Sequence, residues 1–136
     1  MENEIVINLI NKAKEAANKN FCCKHSKFTV GVALLDSNGK IFTGFNIEND
    51  GIQSICAERS TLCVALNEMS KDFKCMAVVG KNIDDYLFIK TLPCGYCRQF
   101  LSEYCNKDFI IYTFDDKEQK LYKYTLEELL PENFSL

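Results

Sequence analysis

An excess of positive charge is missing from this sequence. Its 136 residues carry a formal net charge of −3 at neutral pH. Binding to long phosphate backbones needs clustered cations, so the balance argues against a nucleic-acid-binding protein while leaving a nucleotide-sized ligand open. Long apolar runs are missing too, since no stretch approaches the roughly 18 residues a spanning helix needs. The opening Met1-Glu2-Asn3-Glu4 is acidic and lacks the basic region that begins a signal peptide. These absences point away from membranes and toward the cytoplasm. Linkers, repeats and low-complexity tracts are absent, and the length suits one domain over residues 1–136. Histidine occurs once, at His25, and arginine twice, at Arg59 and Arg98, against fourteen lysines.

Cysteine, by contrast, is abundant, with eight residues. In a reducing cytosol thiols stay free or bind metal instead of pairing.

Residues 4–18 carry Ile5, Ile7, Leu9, Ile10, Ala13, Ala16 and Ala17 at mostly helical spacing, which predicts an amphipathic helix. Phe28 to Leu35 and Lys40 to Phe45 read as strands joined by a hairpin turn at Asp36-Ser37-Asn38-Gly39. Ile55 to Leu66 fits a buried helix and Lys74 to Val79 a strand. A weaker strand is expected near Tyr86 to Ile89, then a second buried helix from Cys94 to Tyr104. Phe109 to Phe114 and Gln119 to Tyr124 read as strands, and Thr125 with Glu128 as the capping box of a last short helix. This order predicts a three-layer α/β/α domain around one central mixed sheet.

Two segments carry chemistry: Cys56-Ala57-Glu58-Arg59 and Pro93-Cys94-Gly95-Tyr96-Cys97-Arg98-Gln99. Cys94 and Cys97 form a Cys-x-x-Cys pair able to grip one metal from a single turn. A catalytic zinc site keeps three protein ligands and leaves one position for water, and Cys56 is the natural third. Both segments sit where helices should begin, where partial positive charge and free N–H groups stabilise thiolates. Three thiolates on Zn²⁺ leave one net negative charge. Both arginines lie beside proposed ligands, so Arg59 and Arg98 are expected to tune that charge. Glu58, two residues after Cys56, is placed to move protons without ligating the metal. Taken alone, the Cys-x-x-Cys pair also fits a redox dithiol or half of a zinc ribbon.

The combination of a first ligand, x and Glu with a later Pro-Cys-x-x-Cys is the signature of zinc deaminases, which have a three-cysteine variant. With Ser26-Lys27-Phe28-Thr29-Val30-Gly31-Val32-Ala33-Leu34-Leu35, Gly44-Phe45-Asn46-Ile47-Glu48-Asn49 and Glu128-Leu129-Leu130-Pro131-Glu132-Asn133-Phe134, the chain resembles the small, homotetrameric cytidine deaminases from about Lys27 to Phe134. The resemblance implies a cytidine deaminase-like fold and hydrolytic removal of the exocyclic amine from cytidine or deoxycytidine, in pyrimidine salvage. It assigns Zn²⁺ to Cys56, Cys94 and Cys97, proton shuttling to Glu58, and ribose binding to Asn46 and Glu48. Phe28 would pack on the pyrimidine, and the backbone at Ala57 and Cys94 would read the base edge. Phe134 would close a neighbouring subunit's pocket. Two stretches depart from the family pattern. Cys22-Cys23-Lys24-His25 replaces a common Tyr-x-Pro-Tyr, and the loop between Asn49 and Cys56 is one residue shorter and lacks a tyrosine.

Three other readings compete. The substrate could be another aminated pyrimidine nucleoside, such as a nucleoside antibiotic. Cys22 or Cys23 could supply a fourth ligand and make a structural zinc module without catalysis. His25 could serve a Cys–His hydrolase, although its polar loop favours a plain exposed histidine. Cys63, Cys75 and Cys105 are expected to be buried small hydrophobes.

Overall fold

The computed structural model describes residues 2–136. Among them the order is α1 (Glu2–Asn18), β1 (Phe28–Asp36), β2 (Ile41–Phe45), α2 (Ala57–Asn67), β3 (Phe73–Asn82), α3 (Gly95–Tyr104), β4 (Ile110–Asp115), β5 (Lys120–Thr125) and α4 (Leu126–Leu129). The strands form one sheet in the order β2-β1-β3-β4-β5. β3 and β4 run parallel, and the other neighbours are antiparallel. This is the expected mixed sheet.

Alternation along the strands sends side chains to two separate layers. Ala33, Ala77, Val79 and Tyr112 face α1, which buries Val6, Leu9, Ile10, Ala13 and Ala17 against them. Val32, Leu34, Met76, Val78 and Ile111 face the other way, onto Leu62, Ala65, Leu101 and Leu126 from α2, α3 and α4. Gly31 lets α1 approach closely, because a methyl group there would overlap the Ala13 carbonyl. No described helix is long and apolar enough to cross a membrane.

Several expectations need correction. The buried stripe of α1 runs through Val6, while Ile5 and Ile7 flank it and stay exposed. Residues 86–89 form no strand. Only Ile89 bridges to Gly80, because the Phe88 N–H is taken by the Asp116 carboxylate at 2.8 Å, not by a strand partner. The two central helices are half-buried, not buried all round. α3 hides only Cys97 and Leu101, and Cys63 on α2 faces solvent. The hairpin and the capping box stand as expected. Asp36 accepts from Asn38 N at 3.0 Å and Lys40 N at 2.8 Å to close the turn, and from Ser70 Oγ at 2.8 Å. Thr125 Oγ1 accepts from Glu128 N, and Glu128 returns the bond to Thr125 N.

The chain between β3 and α3 crosses the C-terminal ends of two strands. Ile89 pairs with Gly80 at the end of β3, and Thr91 N donates to Thr113 Oγ1 on β4 at 3.0 Å. That path delivers Pro93 and Cys94 to the start of α3.

Candidate active site

Cys56 is the N-cap of α2 and Cys94 the N-cap of α3. Each has extended backbone, and its carbonyl accepts the first intrahelical bond, from Ser60 N and Arg98 N. Neither side chain makes a capping hydrogen bond, so both thiols remain available. Cys97 lies in the first turn of α3 and is buried. The two helix starts converge. Cys56 Sγ is 3.9 Å from Cys94 Sγ, Cys94 Sγ is 3.6 Å from Cys97 Sγ, and all three lie within 4.8 Å of one another. Tetrahedral coordination with Zn–S bonds of about 2.3 Å places sulfurs about 3.8 Å apart. The donor set and its spacing therefore fit zinc.

Charge is also arranged for a cation and its ligands. The Cys56 thiol is pushed down to about 5, first by a hydrogen bond with Cys97, with Arg59 and Cys94 assisting against burial. Cys97 is raised, chiefly by that shared bond and by burial. Burial disfavours the Arg59 charge, but the Cys97 and Cys56 thiols beside it outweigh burial and hold its pKa above the ordinary value. Its Nε is buried with no partner, and its Nη2 reaches Ser54 O at 3.5 Å. Glu58 is only 4% exposed. Burial first, and then the charge of Cys56, raises its carboxyl to about 7, against its own backbone N–H and Arg59. An acid of that strength can both take and give a proton near neutrality.

Residues 4–113 match the family described as "Cytidine and deoxycytidylate deaminase zinc-binding region". The chain belongs to this deaminase family. A cytidine deaminase of Sporosarcina psychrophila is 36% identical over 128 residues, covering 93% of this chain and 89% of that one. A blasticidin-S deaminase of Bacillus cereus is 32% identical over 110 residues, covering 78% and 76%. The crystal structure of a cytidine deaminase from Burkholderia pseudomallei superposes with a TM-score of 0.81 at 32% identity, covering 93% and 97%. The three-layer mixed-sheet fold is thus that of the deaminases.

The other predicted site residues fall on β1, on the segment after β2, at the start of α2 and in the tail after α4. Asn46 follows β2, and its Oδ1 accepts from Asn20 Nδ2 at 2.7 Å and Val30 N at 2.9 Å. Its Nδ2 donates one hydrogen to Phe28 O at 3.0 Å, which leaves the second. Glu48 Oε1 accepts from the backbone of His25 and Ser26, both at 3.1 Å, and Oε2 accepts from the Ser26 hydroxyl. Burial pushes its carboxyl up, but these bonds outweigh burial and hold it below the usual value. Phe28 is half-buried, and its ring fills the space a side chain at Gly80 would take. A Cβ there would meet Phe28 Cε2 and Thr91 Oγ1 at 2.8 Å. Ala57 is fully buried at the start of α2. Phe134 is 66% exposed, and its carbonyl accepts from Gln99 Nε2 at 3.0 Å.

Arg98 departs from expectation. Its Nε donates to Pro93 O at 2.7 Å and its Nη1 to Leu129 O at 2.9 Å. It braces the start of α3 against α4, because its place on the helix aims it away from the thiols and at carbonyls lacking partners. Cys22 and Cys23 lie outside the thiol cluster, and exposed His25 sits 4.0 Å from Asp50. Sequence reading missed Asn20 and Ser26, which orient Asn46 and Glu48, and Tyr96, whose ring lies under Arg59. Ser26 and Tyr96 both fall inside quoted motifs, so their position was the available signal.

Proposed function

We propose that this protein is a zinc-dependent hydrolase that converts cytidine and deoxycytidine to uridine and deoxyuridine with release of ammonia. The observation that carries this reading is the meeting of three thiols at two helix starts beside a buried glutamate poised near neutrality. Zinc held by Cys56, Cys94 and Cys97 would supply an activated water at neutral pH. Glu58 takes a proton from water and delivers it to N3 of the base. The water oxygen bonds to C4, and Glu58 then passes that oxygen's remaining proton to the amine, so that the C–N bond breaks, ammonia leaves and the C4 carbonyl forms. Backbone at Ala57 and Cys94 reads the base edge, and Phe28 packs on the ring. The free Nδ2 hydrogen of Asn46 and the ionised Glu48 bind ribose hydroxyls. Arg59 offsets the excess negative charge of the thiolates.

The exposed apolar side chains of Phe134 and Ile52 support an assembly in which neighbouring chains close the site. The homotetramer of the resembled family provides such an arrangement. The net charge of −3 favours a free nucleoside over a polynucleotide. A single-domain cytoplasmic enzyme of pyrimidine salvage follows from this reading. The alternative substrate is an aminated nucleoside antibiotic. It is favoured by the similarity to blasticidin-S deaminase and by the loop at 50–55. A non-catalytic zinc module would leave Glu58 without a purpose.

Ammonia release from cytidine, deoxycytidine, free cytosine, adenosine and blasticidin S, compared side by side, tests the proposal. Turnover of the first two supports it. Turnover of blasticidin S alone replaces the substrate but keeps the chemistry, and silence on all five with one zinc per chain rejects the nucleoside assignment.

A further inference from the structure

Tyr96 projects from the first turn of α3, between Cys94 and Cys97, and its side chain has no role in the helix or the core. It is 72% exposed, yet its ring is not free. The Arg59 Cζ lies 4.5 Å from the ring centroid, in the range for a cation–π contact. Arg59 also stands close enough to Cys97 and Cys56 for their thiols to favour its charge, and its Nη2 reaches the Ser54 carbonyl at 3.5 Å. Arginine is long and flexible, so a guanidinium that must face two thiolates benefits from a wall behind it. A planar face suits that task, since it attracts the cation without taking up any of its N–H donors.

We propose that Tyr96 is a positioning residue: its ring clamps Arg59 against the Cys56 and Cys97 thiolates and thereby slows zinc loss. This rests on the zinc assignment above. The device is local to the motif, because the clamp and two of the proposed ligands share one helical turn. Its exposure means that replacement removes the wall without opening a cavity in the core.

The experiment follows zinc release from the fully loaded protein into a chromogenic chelator. A cation–π contact of this exposure predicts that Tyr96→Ala releases zinc roughly 2- to 5-fold faster. Tyr96→Phe, which keeps the face and loses only the hydroxyl, should match the parent rate. In an Arg59→Ala background, Tyr96→Ala should add nothing further. An unchanged rate in Tyr96→Ala overturns the clamp. So does a Tyr96→Phe rate equal to that of Tyr96→Ala, or additive acceleration with Arg59→Ala. A parent protein that binds no zinc would instead strike the metal assignment itself, so the two failures are distinguishable. If the clamp holds, circular dichroism of all variants stays unchanged while zinc release accelerates in Tyr96→Ala and in both Arg59→Ala variants but not in Tyr96→Phe.

Discussion

The two ends of the site are built on opposite plans. At the thiol end, helix starts place Cys56, Cys94 and Cys97, and the side chains do chemistry while the backbone does the holding. At the other end, side chains hold backbone. Asn46 clamps the start of β1, and Glu48 gathers the 25–26 turn. A site of the first kind is local and survives change around it. The second kind depends on several loops at once, so sequence drift there alters which molecule fits before it alters the reaction. The stretches at 22–25 and 50–55 adjoin this second end, where Glu48 N donates to Cys22 O at 2.9 Å and Ile47 pairs with Ile55.

That contrast can be broken at graded levels. Glu58→Gln should lower kcat by about 10²- to 10⁴-fold, the usual contribution of a positioned general acid–base, with zinc content unchanged by elemental analysis. Stripping zinc should lower stability by about 2.7 kcal/mol relative to protein in free zinc at 100 times its Kd, read as a shift in Tm. Substituting Cys22 and Cys23 together should leave zinc content intact. At the loop end, Ser26→Ala removes a donor from Glu48 and should raise KM for the nucleoside by about 10-fold, with a smaller change in kcat. A fall in kcat as large as the rise in KM would erase the division between the two ends.

The smallest effect belongs to a residue remote from both. Hydrogen bonding, first from Ser70, holds the Asp36 carboxyl below its ordinary value of 3.8. Its stabilising contribution is therefore present above that value and is lost as pH falls through the lower folded one. Asp36→Asn should destabilise the protein modestly at neutral pH, with the difference from the parent shrinking as pH falls through the folded value, as urea midpoints would report.

Much of this was legible in the sequence, for reasons that differ by residue. The strands of the hairpin and the Thr125–Glu128 capping box rest on contacts within a few residues, so local spacing sufficed. The thiol cluster was legible because two short motifs each mark a helix start. What escaped depended on distant partners. Arg98 looked equivalent to Arg59, but its direction is fixed by carbonyls at Pro93 and Leu129. Phe88 was expected in a strand, yet its N–H is captured by Asp116, just past the end of β4 and 28 residues along the chain. The exposure of Cys63 reflects a helix with only one covered face.

The bonds from Arg98 to Leu129 and from Gln99 to Phe134 join α3 to the last residues of the chain. A pull on that tail is thus transmitted to the helix whose first turn carries Cys94 and Cys97. Anyone anchoring this protein to a bead or an electrode would do better to use the α1 end, on the opposite face of the sheet, where the load passes through a layer that touches none of the thiols.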